Sequence, residues 1–520
     1  MFYFVNNTVL VNNSGIEHAQ FKRLILFKHF RQPAKIVTTD YKRFLHDNLQ
    51  MAGVADDDVI NMYDYYQQAR AVPDRTVAYT DLLLPTYDDV QTDGGNRRCF
   101  YQGQLVADVS FWPKRPGSVS AVRYFDKFEY AIREDYYDVR GFLSMVVLNG
   151  AEGKTSTELM LTPTGEVALE RHYQRNRAGN RSESAILLYS QTSDTGVRVF
   201  AGEKEFIAAF LDDLNQANEG ETTGPNVFVI DRNLTADWAA LHMKTRAFKL
   251  MHLHNAQVAD TNDVDHSVLN NNYEFGLSNA AAWNGIIAAT QLQRTDVLRR
   301  LQDQRAKVYR IPVGYVTIHE QHTASFDVQR AQAHRIIQVS RLVPEKHPAA
   351  TLAAFIKVAK RDPQATLTFY GYGDDAVEQA LRATIHEHHL DDRVKLNGYT
   401  NDIASVNAQA TVAVLPTSVE GFGLSILESQ AAGLPVITTN VRYGPAEIVQ
   451  DQRSGYLLAS HQEVDELADK LTTLLKSPTL WQRLHEGALA ASQNFSEEAV
   501  WQCWQNVIKD AQQFYEEVVR

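Results

Sequence analysis

The segment from Pro416 to Glu428 carries the strongest chemical signal in the sequence. Its letters are PTSVEGFGLSILE, in which Glu420 and Glu428 stand eight positions apart around two glycines. Glycines let backbone amides approach a ligand closely, and the helix that follows adds the positive end of its dipole. We therefore expect a ligand-facing loop at the start of this helix. The loop residues predicted to contact the ligand are Glu420, Gly421, Phe422, Gly423 and Leu424.

Glu428 is expected to turn toward the interior of its domain. It shares a helical stripe with Leu424 and Ala431, which should face the core. A buried carboxylate needs hydrogen-bond donors, and the two hydroxyls of a ribose would supply them. The alternative is a structural carboxylate that is paired inside the domain.

Two basic residues follow a buried strand farther toward the amino terminus. Arg341 comes directly after the strand, and Lys346 precedes a helix that Pro348 can start. Positive charges beside a helix amino terminus oppose its dipole, so the arrangement favours an anion between them, such as a diphosphate. The alternative is a pair of solvated loop residues.

Two further motifs stand near strand ends. Ser14-Gly15-Ile16-Glu17 is a glycine turn that enters a helix, and it could approach the same diphosphate or be an ordinary strand-to-helix turn. His252 and His254 point to one side of a short strand. A histidine in such a position is a ligand-contacting residue or a satisfied core residue.

The elements that must position these residues alternate between strand and helix at both ends of the chain. We predict an α/β fold with two domains of parallel strands. An antiparallel β-sheet is expected as an insertion in the first domain, because apolar residues there repeat every two positions and not with the helical period. Phe128, Tyr130 and Ile132 carry that period. The predicted divisions are 1–75 with 206–315 for the first domain, 76–205 for the insertion, 316–496 for the second domain and 497–520 for a final helix.

Length and composition limit the function classes. The chain has 520 residues, of which 44% are hydrophobic, as expected for a globular protein of two or three domains. Its net charge of -12 disfavours nonspecific binding to nucleic acids. Cys99 and Cys503 are the two cysteines, so neither a disulfide framework nor a zinc site is predicted, and a reducing cytoplasm is expected. No secretory signal or membrane-spanning run is predicted, so any membrane contact would be peripheral.

The motifs together resemble the retaining glycosyltransferase family 4. The resemblance rests on Ser340-Arg341-Leu342 with Glu345-Lys346, on Tyr370-Gly371-Tyr372-Gly373, and on Glu420 to Glu428. It implies a GT-B fold, in which two Rossmann-like domains face a cleft, and no catalytic metal. It also implies that Arg341 and Lys346 hold the donor diphosphate, that Glu428 binds ribose and that Glu420 approaches the transferred sugar. Tyr399 and Thr400 fall where the family holds the base.

The amino-terminal sequence from Asn13 to Gln20, together with the inserted sheet, is similar to a narrower group. This group comprises the accessory Sec system transferases of serine-rich repeat adhesins and, more distantly, wall teichoic acid α-glycosyltransferases. The resemblance implies that Gly15, Ile16 and Glu17 contact the donor and that His252 contacts the sugar. Relatives often carry a second histidine where this chain has Asn255, so the choice between His252 and His254 stays open.

The resemblance implies transfer of glucose or N-acetylglucosamine from a UDP-sugar, with retention, to a serine-rich protein or to its protein-linked sugar. No cofactor beyond the donor is expected. The alternatives are transfer to a teichoic acid polymer, and a noncatalytic sugar-binding or chaperone subunit. The acidic chain slightly disfavours the polyanionic acceptor. A second glycosyltransferase subunit or another copy of the chain, bound through the inserted sheet, is a possible partner.

Overall fold

The computed structural model describes residues 1–176, 179–189, 196–217, 226–302, 306–317 and 327–517. These residues divide into two compact units. The first unit comprises Met1–Val11 and Pro33–Ala247, and the second comprises Asn12–Gln32 and Phe248–Arg520.

Strands occur in both units and are numbered here in chain order. They are β1 Phe2–Asn6, β2 Ala34–Thr38, β3 Val59–Asn61, β4 Asp89–Asp93, β5 Asn96–Tyr101, β6 Gln104–Phe111, β7 Val119–Phe125, β8 Ala131–Tyr137, β9 Leu143–Asn149, β10 Thr155–Leu161, β11 Val167–Arg175, β12 Arg181–Tyr189, β13 Val197–Phe200, β14 Val227–Ile230, β15 Phe248–His252, β16 Gly285–Ala288, β17 Val308–Arg310, β18 Arg335–Val339, β19 Thr366–Tyr370, β20 Val394–Leu396, β21 Val412–Leu415, β22 Val436–Thr439 and β23 Gly455–Leu458.

The α-helices of the described residues are numbered in the same way. They are α1 Gly15–His29, α2 Leu45–Ala52, α3 Met62–Tyr66, α4 Glu203–Gln216, α5 Asn233–Leu241, α6 Glu274–Ser278, α7 Gln291–Leu301, α8 Val328–Ala331, α9 Pro348–Arg361, α10 Asp375–Glu387, α11 Ile403–Gln409, α12 Leu424–Ala431, α13 Pro445–Ile448, α14 Val464–Leu475, α15 Pro478–Ser492 and α16 Glu497–Glu516. Within these ranges, none of the helices combines the length and the apolar character that crossing a bilayer requires.

The first unit contains four parallel strands in the order β14-β1-β2-β3. Every residue of β1, β3 and β14 is buried, as expected for parallel strands that are covered on both faces. The same unit contains ten antiparallel strands that pair in sequence order from β4 to β13. The predicted antiparallel insertion is therefore confirmed.

One detail of the predicted insertion differs from the structure. The alternation at Phe128 and Tyr130 predicts a strand, but these residues lie in the turn that precedes β8. The Asp126 carboxylate accepts hydrogen bonds from the backbone amides of both residues, at 2.8 and 3.0 Å. Because the side chain of Asp126 captures these amides, they are satisfied by a turn instead of a strand.

The second unit contains α1, three parallel strands in the order β17-β16-β15, and a six-stranded parallel sheet in the order β20-β19-β18-β21-β22-β23. Helices α9, α14 and α15 cover the larger sheet, and Trp481 and Phe355 are buried in its core. The final helix α16 packs on α1, where the rings of Phe27 and Trp501 contact edge to face at 5.3 Å. Residues 518–520 of the predicted final helix lie outside the described residues.

Candidate active site

All the predicted site residues lie in the second unit. Each of them is on α1 or the turn before it, at the end of β15, or on a loop or helix that follows a strand of the six-stranded sheet. The carboxyl ends of parallel strands are where open α/β sheets bind ligands.

The loop after β18 carries Arg341 and Lys346. A short turn at Pro344–Lys346 precedes α9, whose first residue is Pro348, as the sequence predicts. The Arg341 guanidinium is 54% exposed and donates a hydrogen bond to the Glu345 carboxylate at 3.0 Å. Arg341 therefore presents a charge near the surface, beside the positive end of a helix of 14 residues.

Lys346 lies deeper and contacts the Glu420 loop directly. Its ammonium donates hydrogen bonds to the Glu420 carboxylate at 2.5 Å, to the Val419 carbonyl at 3.1 Å and to the Thr417 hydroxyl at 3.4 Å. The side chains of Lys346 and Glu420 are 13% and 15% exposed. The structure therefore brings together two predicted site residues that are 74 positions apart in sequence.

Both glycines of the loop are required by their surroundings. A Cβ on Gly421 would lie 2.2 Å from the carbonyl oxygen of His254. Gly423 has a φ of +91° and caps the amino terminus of α12, a conformation that favours glycine. Of the neighbouring predicted residues, Phe422 is buried and Leu424 is partly exposed. The loop therefore packs by its backbone against the segment that follows β15.

Glu428 lies on α12 and contacts α1. The Lys22 ammonium is 3.5 Å from its carboxylate, and the two side chains are 22% and 21% exposed. Glu428 is thus half-buried. Its charge also acts on His18, whose pKa is lowered by burial and partly restored by the Glu428 carboxylate. His18 and Lys22 are one helical turn apart on α1.

Tyr399 connects the predicted base-binding loop with the start of α1. Its hydroxyl accepts a hydrogen bond from the Asn13 amide at 3.3 Å and lies 2.9 Å from Nε2 of His18. The Tyr372 hydroxyl donates to the Asn12 carbonyl at 3.0 Å. Beside Tyr399, the Thr400 hydroxyl accepts from the amide of Asp402 at 3.1 Å. The turn before α1 and the 398–400 loop are therefore neighbours.

The glycine turn at residues 14–17 forms a capping box. The Glu17 carboxylate accepts hydrogen bonds from the Ser14 amide at 2.9 Å and the Ser14 hydroxyl at 2.6 Å. The Ser14 hydroxyl accepts in turn from the Ile16 amide. These bonds satisfy the first turn of α1 and give Glu17 a structural role. A Cβ on Gly15 would meet no atom within 4 Å, and the predicted contacts of these residues with a donor remain predictions.

The two candidate histidines have different surroundings. His252 is the last residue of β15 and is 2% exposed, and its Nδ1 lies 2.9 Å from Nη1 of Arg23 on α1. The rings of His252 and His254 are 4.1 Å apart. The backbone amide of His254 donates to the hydroxyl of Tyr273, and its carbonyl faces Gly421. His252 is thus fixed from α1, and His254 borders the Glu420 loop.

His18, Lys22 and Arg23 of α1 were not predicted as site residues. His18 and Lys22 stand four positions apart, a spacing that places them on one helical face and that was available as a signal. Arg23 lies beside them and contacts His252. Tyr443, which contacts the Glu420 loop from a more distant part of the chain, had no such signal.

Comparisons with known proteins show which enzymes the chain is similar to. Residues 324–490 match the family model of glycosyl transferases group 1. The chain is 24% identical to the UDP-N-acetylglucosamine–peptide N-acetylglucosaminyltransferase GtfA subunit of Streptococcus gordonii, in an alignment that covers 98% of each chain. It is 21% identical to the poly(ribitol-phosphate) α-N-acetylglucosaminyltransferase of Staphylococcus aureus, over 96% of this chain and 97% of that one.

A solved structure extends the comparison to the fold. The pneumococcal O-GlcNAc transferase GtfA, solved in complex with UDP and GlcNAc, matches with a TM-score of 0.74 and 21% identity, over 98% of each chain. The predicted GT-B fold with an antiparallel insertion is confirmed by this likeness. The chain therefore has the GT-B fold, and its residues 324–490 are similar to the group 1 glycosyl transferases.

Proposed function

We propose that the chain transfers N-acetylglucosamine or glucose from a UDP-sugar to a serine-rich protein or to a sugar already linked to it. The observation that carries the proposal is the contact of Lys346 with Glu420 at a glycine loop that opens α12, eight positions before Glu428. This arrangement offers a cation for a diphosphate and carboxylates for the hydroxyls of two sugar rings. The full-length likeness to a peptide N-acetylglucosaminyltransferase subunit supports the acceptor class.

Arg341 and Lys346 bind the donor diphosphate in this proposal. Negative charge grows on the diphosphate as the bond to the sugar breaks, so fixed positive charges stabilise the transition state more than the ground state. Lys346 is held in place by three acceptors, which preorganises its charge. The amino termini of α9 and α12 add their dipoles, and the backbone of Gly421, Phe422, Gly423 and Leu424 lies beside the bound donor.

Carboxylates and the α1 turn recognise the remainder of the donor. Glu420 accepts hydrogen bonds from the transferred sugar, and Glu428 accepts them from the ribose hydroxyls. Tyr399 and Thr400 border the base. Gly15, Ile16 and Glu17 approach the diphosphate from the start of α1, with the backbone as the contacting group because the Glu17 carboxylate already caps the helix.

His252 contacts the sugar or its acceptor in this proposal, and His254 is the alternative. Transfer proceeds with retention at the anomeric carbon, as the resemblance to family 4 implies, without a dedicated protein nucleophile. Separate replacement of each histidine by glutamine distinguishes them, because only the residue that contacts the reacting sugar should lower kcat strongly.

The same likeness supports a proposal for the setting of the reaction. We propose that the chain works in the cytoplasm, with peripheral contact to the membrane, uses no cofactor besides the donor, and acts with a second subunit or another copy of itself through the inserted sheet. The Streptococcus gordonii relative is described as a subunit, which supports a partner. The domain divisions at residues 75, 205, 315 and 496 belong to the same proposal.

Transfer to a teichoic acid is the second candidate, because the Staphylococcus aureus relative matches over 96% of the chain. A panel assay separates the two. The purified chain is incubated with UDP-N-acetylglucosamine or UDP-glucose and with a serine-rich peptide, the glycosylated peptide or poly(ribitol-phosphate). Mass spectrometry then detects sugar addition, and NMR of the product gives the anomeric configuration.

The proposal predicts α-linked sugar on the peptide or glycopeptide, and none when Glu420→Ala replaces the wild type. Modification of the teichoic acid alone would favour the second candidate. Binding of a UDP-sugar without turnover, with every acceptor and with water, would indicate a noncatalytic sugar-binding subunit.

A further inference from the structure

Tyr443 contacts the Glu420 loop, as Lys346 does, but through its backbone. Its backbone amide donates a hydrogen bond to the carbonyl of Glu420 at 2.8 Å. The next residue, Gly444, packs so tightly that a Cβ there would lie 1.5 Å from the carbonyl oxygen of Phe422. The backbone of residues 443–444 thus lies directly against the loop that carries Glu420.

The side chain of Tyr443 reaches a different part of the second unit. It is 1% exposed, and its hydroxyl accepts a hydrogen bond from the Gln257 side-chain amide at 2.7 Å. Burial and the neighbouring Asp296 carboxylate raise the pKa of Tyr443, so the hydroxyl keeps its proton. Tyr443 therefore contacts the Glu420 loop through its backbone and Gln257 through its hydroxyl.

Gln257 belongs to a buried group of polar side chains that contacts the segment following the candidate histidines. Gln257 and Gln293 are 1% and 0% exposed. The Gln293 amide donates to the Asn255 carbonyl at 2.8 Å and lies 3.4 Å from the Gln257 side-chain oxygen. Buried polar groups are kept only where they are hydrogen-bonded, so this group fixes the backbone that follows His254.

The two segments also meet directly where Gly421 packs on the carbonyl of His254. Backbone packing resists closer approach, but it does not prevent the loop from sliding or moving away. The Tyr443–Gln257 hydrogen bond restrains this motion, together with the hydrogen bond that the neighbouring Arg442 guanidinium donates to the Thr261 carbonyl at 2.7 Å.

We propose that Tyr443 is a positioning residue for sugar transfer, which holds the Glu420 loop in register with the segment that carries His252 and His254. This inference rests on the proposed function, because Glu420 and a histidine must act on the same sugar. A small displacement between them lowers the rate of the chemical step, while the diphosphate and ribose contacts of Lys346, Arg341 and Glu428 are unchanged.

Tyr443→Phe is the test, because it removes the hydroxyl and keeps the buried ring. We expect kcat for sugar transfer to fall about tenfold, while KM for the UDP-sugar and the affinity for UDP stay within about twofold. Tyr456→Phe is the matched control. Tyr456 lies on β23 in the same unit, half-buried beneath the Lys470 ammonium, and its change should leave kcat unaltered.

A double-mutant cycle with Gln257→Leu separates positioning from general destabilisation. If both residues act through one hydrogen bond, the double variant should be no slower than the slower single variant. Unchanged kcat in Tyr443→Phe would overturn the inference while the proposed function stands. Equal losses in kcat and UDP affinity, together with a lowered Tm, would also overturn the inference, because they would show that Tyr443 has only a structural role. A wild-type chain without transfer activity would instead overturn the proposed function, and the inference with it.

Discussion

Two clusters in the second unit hold the proposed donor site in different ways. The Glu420 cluster comprises Lys346, Glu420, Gly421, Tyr443 and Gln257, and the α1 cluster comprises Asn13, His18, Lys22, Tyr399 and Glu428. Lys346 and Glu420 are 13% and 15% exposed and 2.5 Å apart, whereas Lys22 and Glu428 are 22% and 21% exposed and 3.5 Å apart. The first cluster is tight and enclosed, and the second is looser and more solvated.

The difference in burial between the two clusters suggests different roles within one site. If the two side chains of an enclosed ion pair separate, each charge is left without compensation in a poorly solvated place. The geometry of the pair is therefore fixed. An ion pair near the surface contributes about 0.2–1 kcal/mol and is screened by salt. We therefore expect the Glu420 cluster to determine the rate of transfer and the α1 cluster to adjust affinity for the nucleotide.

Glu420→Ala should have the largest effect. It removes the carboxylate proposed to contact the transferred sugar, and kcat should fall at least about 10³-fold, to a level at which no product is detected. UDP affinity, measured by calorimetry, should change only a few-fold. Glu378→Ala, which removes a partly exposed carboxylate paired with Arg382 on α10, is the control. Unchanged turnover would remove Glu420 from the catalytic residues.

Gly421→Ala should lower kcat about 10²-fold. The added methyl group would lie 2.2 Å from the His254 carbonyl oxygen, so the loop must move away from the segment after β15. Gly202→Ala is the control, because its nearest contact at 3.6 Å is an ordinary one. Wild-type kcat in Gly421→Ala would mean that this close packing does not position Glu420.

Arg341→Ala should weaken UDP binding about tenfold, because a charge-assisted hydrogen bond to the diphosphate is lost. Calorimetry with UDP measures the change. Arg382→Ala is a matched control, since both arginines are more than half exposed and each pairs with a glutamate four positions away. Equal UDP affinity in the two variants would contradict the diphosphate assignment.

Lys22→Met should have the smallest effect, a rise of about threefold in KM for the UDP-sugar with kcat unchanged. The partly exposed ion pair with Glu428 orients the carboxylate but contributes little energy. Lys509→Met, an exposed position on α16, serves as the control. A large loss of kcat in Lys22→Met would contradict the assignment of rate to the Glu420 cluster and of nucleotide affinity to the α1 cluster.

The sequence predicts most of the framework of the second unit. A buried strand is predicted before Arg341 and a helix start at Pro348, and the structure has β18 at Arg335–Val339 and α9 beginning at Pro348. Lys346 and Glu420 could be assigned to one site because cations and glycine loops at strand ends have a common use in binding phosphates. The direct ion pair between them was not predicted.

The contacts between distant parts of the chain that hold the site together could not be predicted from sequence spacing. Tyr443 and Gln257 are 186 positions apart, and His18 and Tyr399 are 381 apart, so no periodicity links them. Glu17 is different, because the pattern of serine followed three positions later by glutamate is a capping-box signature that the sequence did carry. The prediction that Glu17 contacts the donor did not include this capping role.

A crystal structure of the chain with a bound UDP-sugar tests the central claim most directly. The pyrophosphate oxygens should lie within hydrogen-bonding distance of the Lys346 ammonium and the Arg341 guanidinium, with the ribose hydroxyls on Glu428 and the sugar on Glu420. A nucleotide bound away from these four side chains would contradict the account.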